Sequence, residues 1–129
     1  MEGLNMTIQE LYQNIDGDYD QALRVLRVEK LVDKHIRKFT QNGVVDELLK
    51  AGESMNPVEL FEAAHAMKGV CANLGLTGLS CVASEIAEEY RPGNPRKLSD
   101  EEIKARIETI RGMYSRTVEA VQSYEQSCE

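Results

Sequence analysis

His65 and Lys68 stand three residues apart in the run Ala64-His65-Ala66-Met67-Lys68-Gly69. On an α-helix that spacing places both on one side. On a wheel of about 100° per residue, Leu60, Ala63, Met67, Val70 and Leu74 gather opposite the histidine, with Cys71 at their edge. The imidazole is therefore expected in solvent. A neutral imidazole near pH 7 is a nucleophile and a good leaving group. A lysine one turn away offsets the charge of a phosphoryl group placed on that ring. No Ser or Asp accompanies the histidine as a triad would require, and no deep acidic pair is visible. Transfer of a group onto and off the ring is thus better supported than hydrolysis.

The neighbours add a docking argument. Phe61 and Lys68 flank His65 on one side of the wheel, Glu62 and Gly69 on the other, and Ala72 lies beneath. A glycine inside a helix costs about 1 kcal/mol relative to alanine. Gly69 bares backbone beside the imidazole, which lets a second protein approach closely. Phe61 on a wet face suggests an apolar contact with that partner. His35 follows Leu31 and Val32 at the margin of an apolar face and is read as structural.

Helices must position this face, because the pattern is helical nearly throughout. Thr7 caps a short segment over 7–15, and a second covers about 19–27 after the Asp16-Gly17-Asp18 turn. Segments follow over 29–41, ended by Asn42-Gly43, and 44–51, stopped by Gly52. Asn56-Pro57 is a strong helix start for 57–74, with Gly75 at its C-terminal cap. Thr77 is expected to cap 77–90. Arg91-Pro92-Gly93-Asn94-Pro95-Arg96 is a loop. Ser99 and Glu102 form a capping box for a long helix over 100–126, with Ile103, Ile107, Ile110, Tyr114, Val118 and Val121 inward. Four long amphipathic segments on short turns predict an all-α antiparallel up-down four-helix bundle, with short N-terminal helices over one end. A single domain over 1–129 is expected, its bundle core at about 29–126.

Composition narrows the partners. The 129 residues carry 15 basic and 22 acidic groups, a net charge of −7, against a nucleic-acid binder or an anionic-membrane binder. No run approaches the ~20 apolar residues of a membrane span. Met1-Glu2-Gly3-Leu4-Asn5 has neither a basic start nor an apolar stretch, so no secretion signal is expected and the cytoplasm is the default. Cys71, Cys81 and Cys128 form no Cys-x-x-Cys pair. They read as reduced thiols, with Cys71 and Cys81 filling helix contacts and no metal held. Asp16, Asp18 and Asp20 mimic the start of a calcium loop, but Gln21 and Arg27 occupy the positions that need Gly and Glu. No phosphate-cradling glycine loop is present.

Continued through Val70-Cys71-Ala72-Asn73-Leu74-Gly75-Leu76, the histidine run resembles the signature of histidine-containing phosphotransfer (HPt) domains, His-x-x-Lys-Gly followed by small residues and a Leu-Gly step. The resemblance implies a carrier in a multistep His–Asp phosphorelay, not an enzyme. His65 would accept the phosphoryl group at Nε2 and Lys68 would hold its oxygens. Gly69 would keep space for the receiver domain of a response regulator. Phe61, Glu62, Ala72 and Asn73 would belong to the docking surface. A sensor or hybrid histidine kinase would be the other partner. No cofactor is implied, the Mg²⁺ belonging to the receiver, and a monomer is expected. Some members of the family set a polar side chain of the next helix against the imidazole; here that place falls around Ile86 and Ala87, whose side chains cannot hydrogen-bond, with Glu88 or Ser84 as substitutes. A helical interaction module using the same face without phosphorylation is the alternative.

Overall fold

The computed structural model describes residues 5–128; the Met1–Leu4 part of the N-terminal reading lies outside them. Every element among the described residues is helical: α1 (Ile8–Asn14), α2 (Tyr19–Leu26), α3 (Glu29–Phe39), α4 (Val44–Ser54), α5 (Pro57–Asn73), α6 (Thr77–Tyr90) and α7 (Asp100–Ser127). Local chemistry sets most of the starts. Thr7 with Glu10 and Ser99 with Glu102 form reciprocal capping boxes. The Asn56 side chain accepts from the amides of Val58 and Glu59 at 3.0 and 3.1 Å, with Pro57 in the first turn, where its missing N–H costs nothing.

Three residues, Leu74 to Leu76, join α5 to α6. The Leu76 amide donates to the Cys71 carbonyl at 2.8 Å and the Gly75 amide to Ala72 at 3.1 Å, a Schellman motif. Gly75 takes φ +69, and a Cβ there would run into the Asp18 carbonyl. This turn uses Leu76 as the α6 N-cap, without a side-chain bond. Thr77 is therefore the first helical residue and not the cap, and its hydroxyl donates to the Asp16 carbonyl at 3.3 Å.

Packing closes around one core. α4 touches α5 and α7, and α6 touches α5 and α7, so the four form a ring of neighbours. Their pairings run in opposite numerical directions. Glu85 meets Arg106 at 3.1 Å while Gly78 abuts Met113. Tyr124 bonds Asp33, the Tyr114 hydroxyl donates to the Thr40 carbonyl at 3.2 Å, and Gly52 abuts Ile107. α3 and α4 thus follow α7 in succession, broken at 40–43. α1 and α2 close over the α5–α6 turn: the buried Tyr12 hydroxyl donates to the Leu74 carbonyl at 2.7 Å, and the Asp18 amide to Gly75 at 2.7 Å.

Several sequence expectations shift. Gly52 does not stop α4, which runs to Ser54. A Cβ at Gly52 would meet Ile107 Cδ1 at 2.8 Å, so the glycine serves close packing. In α7, Val118 is half-buried. Tyr114 is half-buried too, while Val121 is buried as expected and Thr117 and Tyr124 join it, the Thr117 hydroxyl donating to the Met113 carbonyl at 2.9 Å. Cys71 is fully buried but Cys81 is exposed, so only Cys71 fills a helix contact. His35 is exposed rather than structural. The buried face of α5 is Leu60, Ala64, Met67 and Cys71, with Ala63 and Val70 half-buried. That turns the stripe by about 50° from the predicted centre. Each fully buried Leu or Met there contributes roughly 1.5–3 kcal/mol.

Candidate functional site

His65 stays exposed despite that rotation, because about 130° of helix still separates it from the centre of the buried stripe. Its ring stacks on Phe61 with centroids 5.6 Å apart and an interplanar angle of 25°. Phe61 is half-buried, not free in solvent, and its other company is the Arg91 guanidinium, 5.4 Å from the ring centre. Phe61 thus supports one side of the imidazole.

Antiparallel pairing with α6 supplies the opposing wall. Arg91 donates to the Glu88 carboxylate from Nε and Nη2 at 2.9 and 2.7 Å. That bond, reinforced by Lys68 and His65 within Coulomb range, holds the Glu88 carboxyl below the usual carboxylate value. Lys68, half-buried, lines an open cleft of about 620 Å³ together with Gln21, Ala72, Ser80, Ser84 and Glu88. The Ser80 hydroxyl donates to the Lys68 carbonyl at 3.2 Å, pinning α6 against this turn of α5. Ile86 and Ala87 are fully buried in the core and turn away from the imidazole. Glu88 is the residue of α6 that reaches its field.

The predicted residues divide into groups. His65, Lys68, Phe61 and Ala72 share the α6 side. Gly69 is exposed, with nothing within 4 Å of where its Cβ would stand, so no packing within the chain calls for a glycine there. Glu62 faces the other way, into the groove between α4 and α5 with Glu59, Ala63 and Ala66. Asn73 lines a pocket with Leu26, His35, Lys38 and Val70 at the far end of α5. Sequence reasoning missed Arg91 as a site neighbour, treating it only as loop. In a hairpin turning at Gly75, Phe61 lies 14 residues before the turn and Arg91 16 after it, a near match that would have flagged Arg91 as a neighbour of Phe61. Among the described residues no three His, Cys, Asp or Glu side chains converge as a metal site needs, and no helix is long and apolar enough to cross a membrane.

Of the two exposed histidines, His65 is the one with a flanking cation, Lys68, and an unobstructed patch of helix at Gly69. The sequence profile of the Hpt domain matches residues 28–120, and the chain belongs to that family, whose members carry phosphoryl groups on histidine in phosphorelays and work with receiver domains and histidine kinases. No curated protein and no solved structure matches the chain.

Proposed function

We propose that this chain is a phosphoryl carrier that accepts at His65 and passes the group to or from the aspartate of a response-regulator receiver domain. The observation that carries this reading is the exposed imidazole beside the open space at Gly69, on a helix whose opposite face is core. In the transfer, the His65 Nε2–P bond breaks as the P–O bond to the receiver carboxylate forms, and the reverse step restores it. The leaving imidazole regains its neutral state in solvent. Lys68 balances charge on the phosphoryl oxygens through a loose, in-line transition state. Phe61 holds the ring plane; Phe61, Ala72 and Asn73 belong to the docking surface, and Glu62, which lines the α4–α5 groove, stands outside its centre. The carrier needs no cofactor of its own, since the receiver brings its Mg²⁺. We read the fold as one domain, an up-down four-helix bundle in which α3 and α4 share one column, and the protein as a cytoplasmic monomer.

Incubation with a small phosphoramidate donor tests this without knowledge of the partner. Intact mass should rise by one phosphoryl group, in an acid-labile form, and His65→Gln should abolish the gain while leaving the helical circular dichroism unchanged. A folded wild type that takes up nothing would leave a helical interaction module as the function of this face.

A further inference from the structure

The junction of α2 and α3 carries a surface that phosphoryl chemistry does not explain. Val25, Val28 and Leu31 follow at three-residue steps across it and are 39%, 51% and 38% exposed. Arg24, Arg27, Lys30, Lys34 and Lys38 surround them, all exposed, and none makes an ion pair with another described residue. The two acids of this stretch are occupied. Glu29 accepts from Tyr19 and Gln9, and Asp33 from Arg37 and Tyr124. Positions 24–38 hold six basic and two acidic residues, a net of +4 in a chain of net −7, so the rest carries −11. Arg27 holds φ +78, a conformation that glycine would adopt without strain.

Position makes this patch relevant to His65. α2 packs on α5. Gln21 lines the same cleft as Lys68 and Ala72, and Arg24 Nη2 donates to the Gln21 side chain at 2.7 Å. On the other flank His35 and Lys38 line a pocket with Asn73. From His65 to Asn73 is about 12 Å along the helix. A standard interface buries ~800 Å² on each partner, a disc of about 16 Å radius. A receiver centred on His65 therefore reaches the Asn73 end of α5, where Leu26, His35 and Lys38 bring α2 and α3 alongside.

We infer that this junction is the outer part of the docking face, where it takes an apolar contact on the receiver domain ringed by carboxylates. The inference rests on the phosphorelay reading above. An anionic membrane is the poorer occupant: three aliphatic side chains without an aromatic give little to bury, and the −11 elsewhere is repelled. Opposite charges at the rim of an interface act mainly on encounter and selectivity, so the effect should be salt-dependent.

Direct binding tests this and needs no phosphoryl group on His65. Receiver domains from the same genome, held active with beryllofluoride, are titrated against the full chain, against Arg27→Glu/Lys30→Glu and, as equal charge reversal outside the patch, against Lys104→Glu/Arg111→Glu. The tightest receiver should lose at least tenfold in affinity with the first variant and less than twofold with the second. Raising salt should erode wild-type binding faster than that of the patch variant. Val28→Ser, which keeps every charge, should cost a few-fold. Unchanged receiver affinity in both patch variants overturns the inference, as does the absence of any receiver that binds. So would an unchanged receiver affinity accompanied by loss of binding to phosphatidylserine vesicles, or by dissolution of a wild-type dimer. Docking intact without phosphoryl uptake would overturn the carrier reading alone.

Discussion

Glu88 and Glu89 sit side by side in α6, about 100° apart around the helix. One turns toward the His65 stripe and the other toward the loop at 91–99. The Glu88 carboxylate is exposed and, among the described residues, bonded only to Arg91, its neighbour one turn on. The Glu89 carboxylate is buried, and a single oxygen accepts from Arg96 Nε at 2.6 Å and from the amides of Lys97 and Leu98 at 2.9 Å each. Arg96 also lies over the Tyr90 ring, 4.4 Å from its centre. Identical chemical groups thus take different work from their surroundings. A carboxylate in water exerts a field on its neighbours and little mechanical hold. A buried one with three donors fixes the path of the chain, here the entry to α7.

Breaking the buried member should have the larger effect on stability. Glu89→Ala strips the acceptor from two backbone amides and a guanidinium, and we expect a loss of about 2–3 kcal/mol in urea unfolding at pH 7. Phosphoryl uptake per folded molecule should not change. The pH dependence sharpens the point. Burial pushes the Glu89 carboxyl up, but the bonds from Leu98, Arg96 and Lys97 outweigh burial and hold it below the ordinary value of 4.5. A carboxylate with a depressed folded pKa gives its full stabilisation above the unfolded value and loses it as the pH falls through the folded one. The gap between wild type and Glu89→Gln should therefore be widest at neutral pH and shrink below about pH 4.5. A variant that keeps full stability but fails to take up phosphoryl would reverse the roles assigned to the two residues.

Glu88→Gln should leave unfolding nearly unchanged, since exposed ion pairs contribute little. Its effect should appear in transfer. An anion in the field of His65 and Lys68 disfavours a dianionic phosphoryl group on the ring, so removing it should shift the phosphoryl equilibrium toward His65 by about threefold at low salt, and by less as salt screens the pair. Quenched-flow transfer to a bound receiver at two ionic strengths reads this. A shift in the other direction would mean that Glu88 instead orients the imidazole.

Features that obey local rules were legible in the sequence: the Asn56-Pro57 start, the Ser99–Glu102 box, the Gly75 cap and the exposure of His65. Each depends on residues within one or two turns. The exact rotation of α5 was not legible, because Ala63 and Ala64, or Val70 and Cys71, differ too little in hydrophobicity to say which of each pair α4 and α6 will cover. The pairing of Phe61 with Arg91 and the use of Gly52 against Ile107 need the partner helix to be in place first. His35 was misjudged for a related reason. It borders an apolar face, but Val32, Ile36 and Phe39 alone fill the space beneath α3.

The smallest effect, and the most discriminating, concerns glycines within helices. Gly52 and Gly78 abut Ile107 and Met113, so their smallness serves the fold, whereas Gly69 and Gly112 face open space. Alanine at either open position should stabilise the chain by about 1 kcal/mol, through helix propensity alone. If Gly69 is retained for the approach of a receiver, Gly69→Ala should pair that gain with a few-fold loss of receiver affinity, while Gly112→Ala on α7 gives the gain with no loss. Gly69→Glu, adding bulk and charge, should deepen the loss to the point of no measurable binding. Equal behaviour of the two alanine variants in both measurements would mean that the gap beside His65 has no role in docking, and the close approach would then have to be carried by Phe61, Lys68 and Ala72.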